Sequence, residues 1–296
     1  MRALSLPGCA CRGAFQFAVM ARLAAAGERF DLVAGASSGS LCGAVTVAGL
    51  AARGPDFARE LGGAPIVSTR YLETERSIFG VGRILRETLR RNLPEERLRD
   101  TEAELLVATT DFGAYARRVL PRRVREAAGR LGPAVDRCMS SLARALPEDL
   151  ADRLGFASAG AEPLVVHSNR ERRDLHDIIL ASCYIPVLHA RVTRLDGALH
   201  VDGALADNTL LDALIARGAT EVTVVTPFAG GAVARTMFST EGPLAPRAGV
   251  RLRVLYPERP LSIGRFDLSR ERLEEALVMP HRERIIDPIA NGAGRA

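Results

Sequence analysis

A serine flanked by glycines and a distant aspartate are the residues of this chain best suited to chemistry. The pentapeptide Gly35-Ala36-Ser37-Ser38-Gly39 follows a short apolar run at 32–34 and precedes a stretch of small apolar residues. A strand, then Gly-x-Ser-x-Gly, then a helix is the context in which the central serine lies on a sharp turn. The amino terminus of the following helix favours an oxyanion beside it. Ser37 is therefore predicted to be a nucleophile.

A serine hydroxyl is a poor nucleophile at neutral pH and needs a base within hydrogen-bond reach. Of the histidines, only His281 lies late enough in the chain for a Ser-His-Asp arrangement. It follows the last predicted strand, where a surface position is expected. Asp202 comes directly after a predicted strand in Asp202-Gly203-Ala204, and partial burial there would raise its affinity for a proton. The alternative is a plain turn, as predicted for Asp196-Gly197.

The elements around these residues predict a parallel sheet. A strand at 2–6, a helix at about 14–26 and a second strand at 32–34 form a β-α-β unit with a right-handed crossover. Ligands bind such sheets at the carboxyl ends of the strands. The loop at 7–13 and the turn at 35–39 leave neighbouring strands at that end, and we expect them to lie side by side.

Apolar periodicity and turn signals predict the remaining elements. Strands are predicted at 104–110, 164–167, 191–195, 198–201, 222–226 and, as the last one, 252–256. Helices are predicted at 40–52, 56–61, 81–91, 175–182, 208–217 and, capped by Ser269, up to about 278. The arginine-rich stretch at about 115–160 is predicted to be a helical insertion over the site, although solvated surface helices fit its pattern equally well.

Composition indicates an ordinary globular chain. It has 296 residues, an apolar fraction of 47% and a net charge of +5, with arginine as its only strongly basic residue type. This charge permits contact with an anionic membrane surface, and no basic-aromatic pattern indicates nucleic acid. Five cysteines without metal-ligand spacing predict reduced thiols in a cytoplasmic protein and neither a metal nor another cofactor. The longest apolar run is too short to cross a bilayer.

Taken together, these motifs resemble the patatin-like phospholipase family. The family has a glycine-rich oxyanion loop after its first strand, Gly-x-Ser-x-Gly after its second, and Asp-Gly-Gly/Ala far downstream. The last two correspond to the motifs at Ser37 and Asp202. The resemblance extends to Ala181-Ser182-Cys183-Tyr184-Ile185-Pro186 and to the segment 201–208, and it covers about residues 2–228 in separate blocks.

The resemblance implies a single α/β domain over 1–296, a three-layer α/β/α fold with a mainly parallel central sheet. A helical insertion at about 115–160 and a C-terminal extension at about 229–296 would complete it. It implies a Ser37-Asp202 dyad that works without histidine. The oxyanion would be held by the backbone N–H groups of Cys9 and Ala10, with that of Ser38. The supporting motif residues are Gly8, Arg12, Gly13, Gly35, Gly39 and Gly203.

One departure from the family concerns the oxyanion loop. The family usually has Gly-Gly-Gly-x-Arg/Lys-Gly, whereas this chain has Gly8-Cys9-Ala10-Cys11-Arg12-Gly13. A residue with a Cβ resists positive φ and narrows the space for an acyl oxygen.

The function that the resemblance implies is a serine acyl hydrolase acting on (lyso)phospholipids or acylglycerols. An acyltransferase with the same serine, or a non-catalytic lipid-binding relative, remains an alternative.

Overall fold

The computed structural model describes residues 1–115, 162–185, 188–189, 191–267 and 269–289. Its strands are β1 (Arg2–Leu6), β2 (Leu32–Gly35), β3 (Glu104–Asp111), β4 (Leu164–Ser168), β5 (Thr193–Leu195), β6 (Ala198–Asp202), β7 (Glu221–Val225), β8 (Ala232–Ala234), β9 (Glu241–Pro243), β10 (Arg251–Pro257) and β11 (His281–Ile286). Its α-helices are α1 (Gly13–Ala25), α2 (Ser38–Val47), α3 (Gly54–Gly63), α4 (Tyr71–Glu75), α5 (Val81–Asn92), α6 (Glu95–Arg99), α7 (Leu175–Ser182), α8 (Leu211–Ala216) and α9 (Arg270–Val278).

Within the described residues, nine strands form one mixed sheet. Its order is β11-β10-β7-β1-β2-β3-β6-β5, and β4 pairs with β3 as well. The run from β10 to β3 is parallel throughout, while β11, β4, β5 and β6 pair antiparallel with their neighbours. Strands β1 and β2 are adjacent, as predicted from the β-α-β pattern. The predicted α/β class with a mainly parallel sheet is therefore confirmed.

Alternate residues of the central strands enter two different apolar clusters, one on each face of the sheet. Leu4, Val33 and Leu105 pack with helices α1, α2, α3, α5, α7 and α9 on one face. Ala3 and Leu32 belong to the cluster on the other face, which includes helix α8. Because successive side chains of a strand point to opposite faces, this division describes three layers, helix, sheet and helix.

The C-terminal part of the chain differs most from the sequence prediction. The prediction ended the sheet with the strand at 252–256, but β11 follows it and pairs with β10 along its full length. Its sequence His-Arg-Glu-Arg-Ile-Ile has few apolar residues because an edge strand can be held by ion pairs. Arg253 Nε lies 2.8 Å from Glu283 across this pair. The loop predicted at 229–249 contains the small β8–β9 sheet.

Two helices also have other limits than predicted. Helix α2 begins at Ser38 and ends at Val47, because Gly49, with φ 72°, turns the chain soon afterwards. Helix α8 begins only at Leu211, because Asp207 Oδ1 accepts the N–H groups of Thr209 and Leu210 and holds a turn there. The predicted helical insertion lies, from residue 116 on, outside the described residues.

Candidate active site

Ser37 lies on a sharp turn between β2 and α2. Its backbone has φ 52° and ψ −130°, a conformation that residues with a Cβ rarely adopt. The turn depends on close packing behind it, since a Cβ on Gly39 would come within 1.8 Å of the carbonyl oxygen of Leu6, and one on Gly35 within 2.5 Å of Gly39. The chain therefore brings Ser37 to the amino terminus of α2, as the Gly-x-Ser-x-Gly motif predicts.

Two buried serines hold the backbone of Ser37 in this conformation. The N–H of Ser37 donates a hydrogen bond to Ser182 Oγ at 2.9 Å. The hydroxyl of Ser40 donates to the carbonyl oxygen of Ser37 at 2.6 Å. Both polar groups of the strained peptide are thereby satisfied without the Ser37 side chain, which remains available for chemistry.

The register of the sheet brings Asp202 to Ser37. Thr109 of β3 pairs with Val165 of β4 and also with Asp202 of β6, so β4 and β6 occupy opposite edges of β3. Strands β2 and β6 share one edge of β3. The last residue of β2, Gly35, pairs with Val107, two residues before Thr109 in β3. Because β2 runs parallel and β6 antiparallel to β3, their carboxyl ends meet head to head. Ser37 and Asp202 continue from these two ends.

Asp202 is fully buried beside the serine. Burial raises the pKa of its carboxyl group to about 7, while the nearby Ser37 side chain and the N–H of Ala204 lower that pKa. The Ala204 N–H donates to Oδ1 at 2.9 Å. Among the described residues, Oδ2 has no partner that meets both the distance and the angle limits of a hydrogen bond. Oδ2 is thus the atom with capacity to accept a proton.

The turn after Asp202 is imposed by the neighbouring strand. A Cβ on Gly203 would come within 2.2 Å of the carbonyl oxygen of Ala108 in β3. Asp202 therefore needs a glycine behind it to approach β3 so closely. Asp196-Gly197 forms only the exposed β5–β6 hairpin turn, with φ 52° and 84°. The two Asp-Gly pairs of the sequence consequently have different places in the fold.

The loop between β1 and α1 runs beside Ser37. A Cβ on Gly8 would lie 2.7 Å from Ser37 Cβ, and one on Gly13 would lie 3.1 Å from Ser38 Cβ, so both glycines lie against the elbow. Ala10 has φ 53°, the positive φ that glycine adopts easily and alanine resists. The loop thus keeps a glycine-like path despite its Cβ atoms.

The three N–H groups predicted to bind an oxyanion are in different situations. The N–H of Cys9 donates to Ser38 Oγ at 3.0 Å and is already occupied. The N–H groups of Ala10 and Ser38 have no acceptor among the described residues, and both residues line the cavity that contains Ser37. This arrangement favours Ala10 and Ser38 as oxyanion donors over Cys9.

Contacts from distant parts of the chain fix this loop. Asn208 Oδ1 accepts the N–H of Gly8 at 2.6 Å, and Gln16 Nε2 donates to the carbonyl oxygen of Pro7 at 2.8 Å. Arg12 Nε donates to the carbonyl oxygen of Ile263 at 3.1 Å, and its guanidinium lies 5.3 Å from the ring centre of Phe228. The C-terminal part of the chain therefore helps to shape the loop.

The thiols near the site are not nucleophiles. Burial raises the pKa of Cys9 to about 12 and that of Cys11 to about 11, so both stay protonated at neutral pH. Cys9 Sγ lies 3.5 Å from Gln16 Oε1 and 3.5 Å from Ser38 Oγ. Cys9 and Cys11 therefore serve as small side chains that pack in the loop.

A mostly apolar cavity opens beside Ser37. Its volume is about 410 Å³, within the range of small-ligand sites. The surrounding side chains include Phe17 of α1, Leu41 of α2, Leu61 of α3 and Leu85 of α5, together with residues of α9 and of the loops. An extended hydrocarbon chain attached to a group at Ser37 would find apolar walls here. The predicted contribution of the insertion at 115–160 lies outside the described residues.

Neither the last histidine of the chain nor the one that lines the cavity is suited to be a base for Ser37. His281 begins the edge strand β11, which β10, β7 and β1 separate from β2, so it is roughly 19 Å away at about 4.8 Å per strand. His189 lines the cavity, but burial lowers its pKa to about 4, and its Nδ1 accepts the N–H of Ile185 at 3.1 Å. In the part of the chain described, no group of three or more His, Cys, Asp or Glu side chains is placed to bind a metal ion.

Sequence reasoning did not identify Ser182 and Asn208 as site residues. Both lie in segments that the sequence analysis had singled out, but a motif does not reveal which of its side chains bonds to which distant backbone group. Ser182 acts across 145 positions and Asn208 across 200. Only the folded sheet brings them to Ser37 and Gly8.

Comparison with known proteins identifies a family model that matches this chain and a solved structure that is similar to it. A family model described as Patatin-like phospholipase matches residues 4–215. Among solved structures, VipD from Legionella pneumophila is 13% identical with a TM-score of 0.38, covering 77% of this chain and 50% of VipD. The chain thus spans half the length of that structure. A comparison with curated proteins gives no match. Strands β7, β10 and β11 lie beyond the family match, although they belong to the central sheet.

Proposed function

This chain belongs to the patatin-like phospholipase family, and from that premise we propose that it is a serine acyl hydrolase with Ser37 as nucleophile and Asp202 as base. One observation carries the proposal. A serine on a strained turn adjoins a buried carboxyl group whose pKa is raised to about 7. Such a carboxylate is a far stronger base than an exposed one, because burial disfavours its charged form.

The reaction begins when Ser37 Oγ attacks the carbonyl carbon of an ester and Asp202 Oδ2 takes the hydroxyl proton. The N–H group of Ala10, in the loop before α1, and that of Ser38, at the amino terminus of α2, hold the negative oxygen of the tetrahedral intermediate. When the ester bond breaks, the alcohol leaves with the proton from Asp202. Water then attacks the acyl-enzyme, Asp202 takes its proton and returns it to Ser37 Oγ, and the fatty acid is released.

The substrate class follows from the cavity and the family. The apolar cavity next to Ser37 favours esters of long-chain fatty acids, that is (lyso)phospholipids or acylglycerols. In the described part of the chain, no helix has the length and apolar character needed to cross a bilayer.

Hydrolysis of a water-soluble ester and labelling by a fluorophosphonate test the dyad. Ser37→Ala should abolish labelling and lower kcat at least about 10³-fold, as removal of a catalytic serine does. Ser38→Ala is the matched control and should still be labelled at Ser37. Asp202→Asn should lower kcat by a similar order, while Asp196→Asn, in the other Asp-Gly turn, should leave kcat unchanged. Labelling of Ser37→Ala at another serine would refute the proposed nucleophile.

The same assay separates the two alternatives. An acyltransferase would pass the acyl group to an added alcohol in preference to water, so the acyl product would shift from fatty acid to ester. A non-catalytic relative would bind lipid without being labelled. The backbone at Ala10, with its positive φ and unoccupied N–H, supports an active enzyme because the oxyanion path is retained.

A further inference from the structure

One loop at the mouth of the cavity exposes apolar side chains to solvent. This mouth loop, residues 66–80, is closed by hydrogen bonds from the N–H of Ser68 to the carbonyl oxygen of Ile78 (2.9 Å) and from Gly80 to Ile66 (2.8 Å). Val67, Leu72 and Ile78 of the loop are 59%, 49% and 41% exposed. Surface patches of this kind mark interaction sites, because soluble proteins seldom leave them uncovered.

Phe266 belongs to the same rim, although it comes from the C-terminal part of the chain. It is 64% exposed, and it lines the cavity together with Val67. The exposed apolar surface is therefore continuous with the apolar wall that leads to Ser37. Val67 and Phe266 thus connect the exposed surface with the cavity that contains Ser37.

Charges on the mouth loop nearly cancel. Arg70 and Arg76 are matched in number by Glu73 and Glu75. The loop's own charges therefore add little attraction to an anionic surface, although Arg83 and Arg191 bond to Thr74 from outside the loop. Burial of apolar side chains is the main driving force that the loop itself offers for association.

We propose that the mouth loop and Phe266 insert into the surface of a phospholipid bilayer, so that an acyl chain moves from the bilayer directly into the cavity. The proposal rests on the hydrolase function proposed above. A bilayer fits the rim better than a protein partner, since a partner seated on the rim would close the opening that leads to Ser37. Amphipathic surfaces of this kind bind at the interface in proportion to the apolar area that they bury.

Binding is measured with the Ser37→Ala chain, which does not consume its substrate. We expect it to cosediment with vesicles of phosphatidylcholine and with vesicles containing phosphatidylserine at similar affinity, in low and in high salt. Leu72→Asp combined with Ile78→Asp should weaken this binding at least tenfold. Val278→Asp is the matched control, because Val278 is an apolar side chain that is 72% exposed at the end of α9, outside the mouth loop; it should leave binding unchanged.

Activity of the same loop variants separates this proposal from the hydrolase proposal. With Ser37 intact, the Leu72→Asp, Ile78→Asp chain should hydrolyse a short water-soluble ester normally and vesicle lipid at least tenfold more slowly. Normal turnover of vesicle lipid by that chain would overturn the docking surface but leave the hydrolase proposal intact. Two results of the binding assay would also overturn insertion through the rim. One is that no vesicles are bound; the other is that only anionic vesicles are bound and that high salt abolishes this binding.

Discussion

The hydroxyl of Ser182 accepts the backbone N–H of Ser37 over 2.9 Å in the buried interior. The strained backbone of Ser37 persists only if its surroundings determine it, and this bond is one such determinant. Ser182→Ala leaves a buried N–H unpaired, which costs about 1–3 kcal/mol. We expect kcat on a soluble ester to fall about tenfold with little change in KM, because the serine loses its alignment.

A matched control for Ser182→Ala is Thr46→Val. Thr46 Oγ1 donates to the carbonyl oxygen of Cys42 within α2, away from the turn. This variant also loses one hydrogen bond between a side-chain hydroxyl and the backbone, and it should keep its kcat. Fluorophosphonate labelling reports the alignment of Ser37 independently of turnover. A Ser182→Ala chain labelled at the wild-type rate would show that the bond has no positioning role.

The pH dependence of turnover should follow Asp202. Its pKa is raised to about 7 by burial, and the proposed base must be deprotonated to accept the proton of Ser37. For a soluble ester, kcat/KM should therefore rise with pH, reach half its maximum near pH 7 and level off above it. A profile that is half-maximal near pH 4, the ordinary value for aspartate, would contradict this role.

Asp202 should also make the protein less stable at alkaline pH. Its pKa is about 7 in the folded chain against 3.8 for an unperturbed aspartate, so the folded state binds the proton more tightly. The free energy of unfolding therefore falls as pH rises from about 4 to 7, and the loss is complete above that. Asp202→Asn removes this penalty and should stabilise the chain by about 1–4 kcal/mol at pH 8.

Urea unfolding of wild type and Asp202→Asn at pH 5 and pH 8 checks this sign. The gain from the substitution should be smaller at pH 5 than at pH 8, because only about a third of the loss between pH 4 and 7 has occurred at pH 5. Asp196→Asn, on the exposed hairpin turn, provides the comparison for loss of a surface carboxylate, one that is paired with Arg172. An equal gain for Asp202→Asn at both pH values would mean that the buried charge is not its source.

Ala10→Gly should improve both stability and turnover. Ala10 has φ 53°, and a left-handed conformation costs a residue with a Cβ roughly 1–2 kcal/mol. Glycine removes that strain and opens space beside the N–H proposed to bind the oxyanion. Since glycine loses more entropy on folding, we expect a net gain of about 0.5–1 kcal/mol in stability. Thermal unfolding and kcat/KM on a bulky ester measure the two effects, and a fall in both would refute the assigned strain.

The nucleophile turn and the pairing of β1 with β2 could be predicted because their signals are local. Gly-x-Ser-x-Gly between an apolar strand and an apolar helix fixes the turn by steric need, and Gly39 against Leu6 shows that need directly. The approach of Asp202 depends on the reversed direction of β6, which no local pattern encodes. For that contact, the resemblance to a family was the informative signal.

Two features of the structure escaped prediction for physical reasons. Strand β11 is an edge strand held by ion pairs such as Arg253–Glu283, so its sequence lacks the apolar alternation that predicts a strand. The Cβ atoms of Cys9 and Ala10 were expected to disfavour positive φ in the oxyanion loop. Its backbone nevertheless keeps a positive φ at Ala10, because contacts such as Asn208 with Gly8 fix the loop from outside.

We expect the C-terminal part of the chain to support turnover, because it holds Arg12 and thereby the oxyanion loop. This arginine donates to the carbonyl oxygen of Ile263 at 3.1 Å and stacks on Phe228, and the N–H of neighbouring Cys11 donates to the carbonyl oxygen of Arg265 at 3.0 Å. Arg12→Ala loosens the loop that carries Ala10. We expect kcat on a soluble ester to fall about five- to tenfold.

Arg22→Ala is the matched control for Arg12→Ala, because Arg22 also ties α1 to the C-terminal part of the chain. Its guanidinium donates to the carbonyl oxygen of Met279 at 3.0 Å, far along the helix from the loop. Each variant loses an arginine bond to a distant carbonyl, worth about 1–3 kcal/mol of stability. Only Arg12→Ala should lower kcat and slow fluorophosphonate labelling. Equal losses of kcat in both variants would instead indicate general destabilisation.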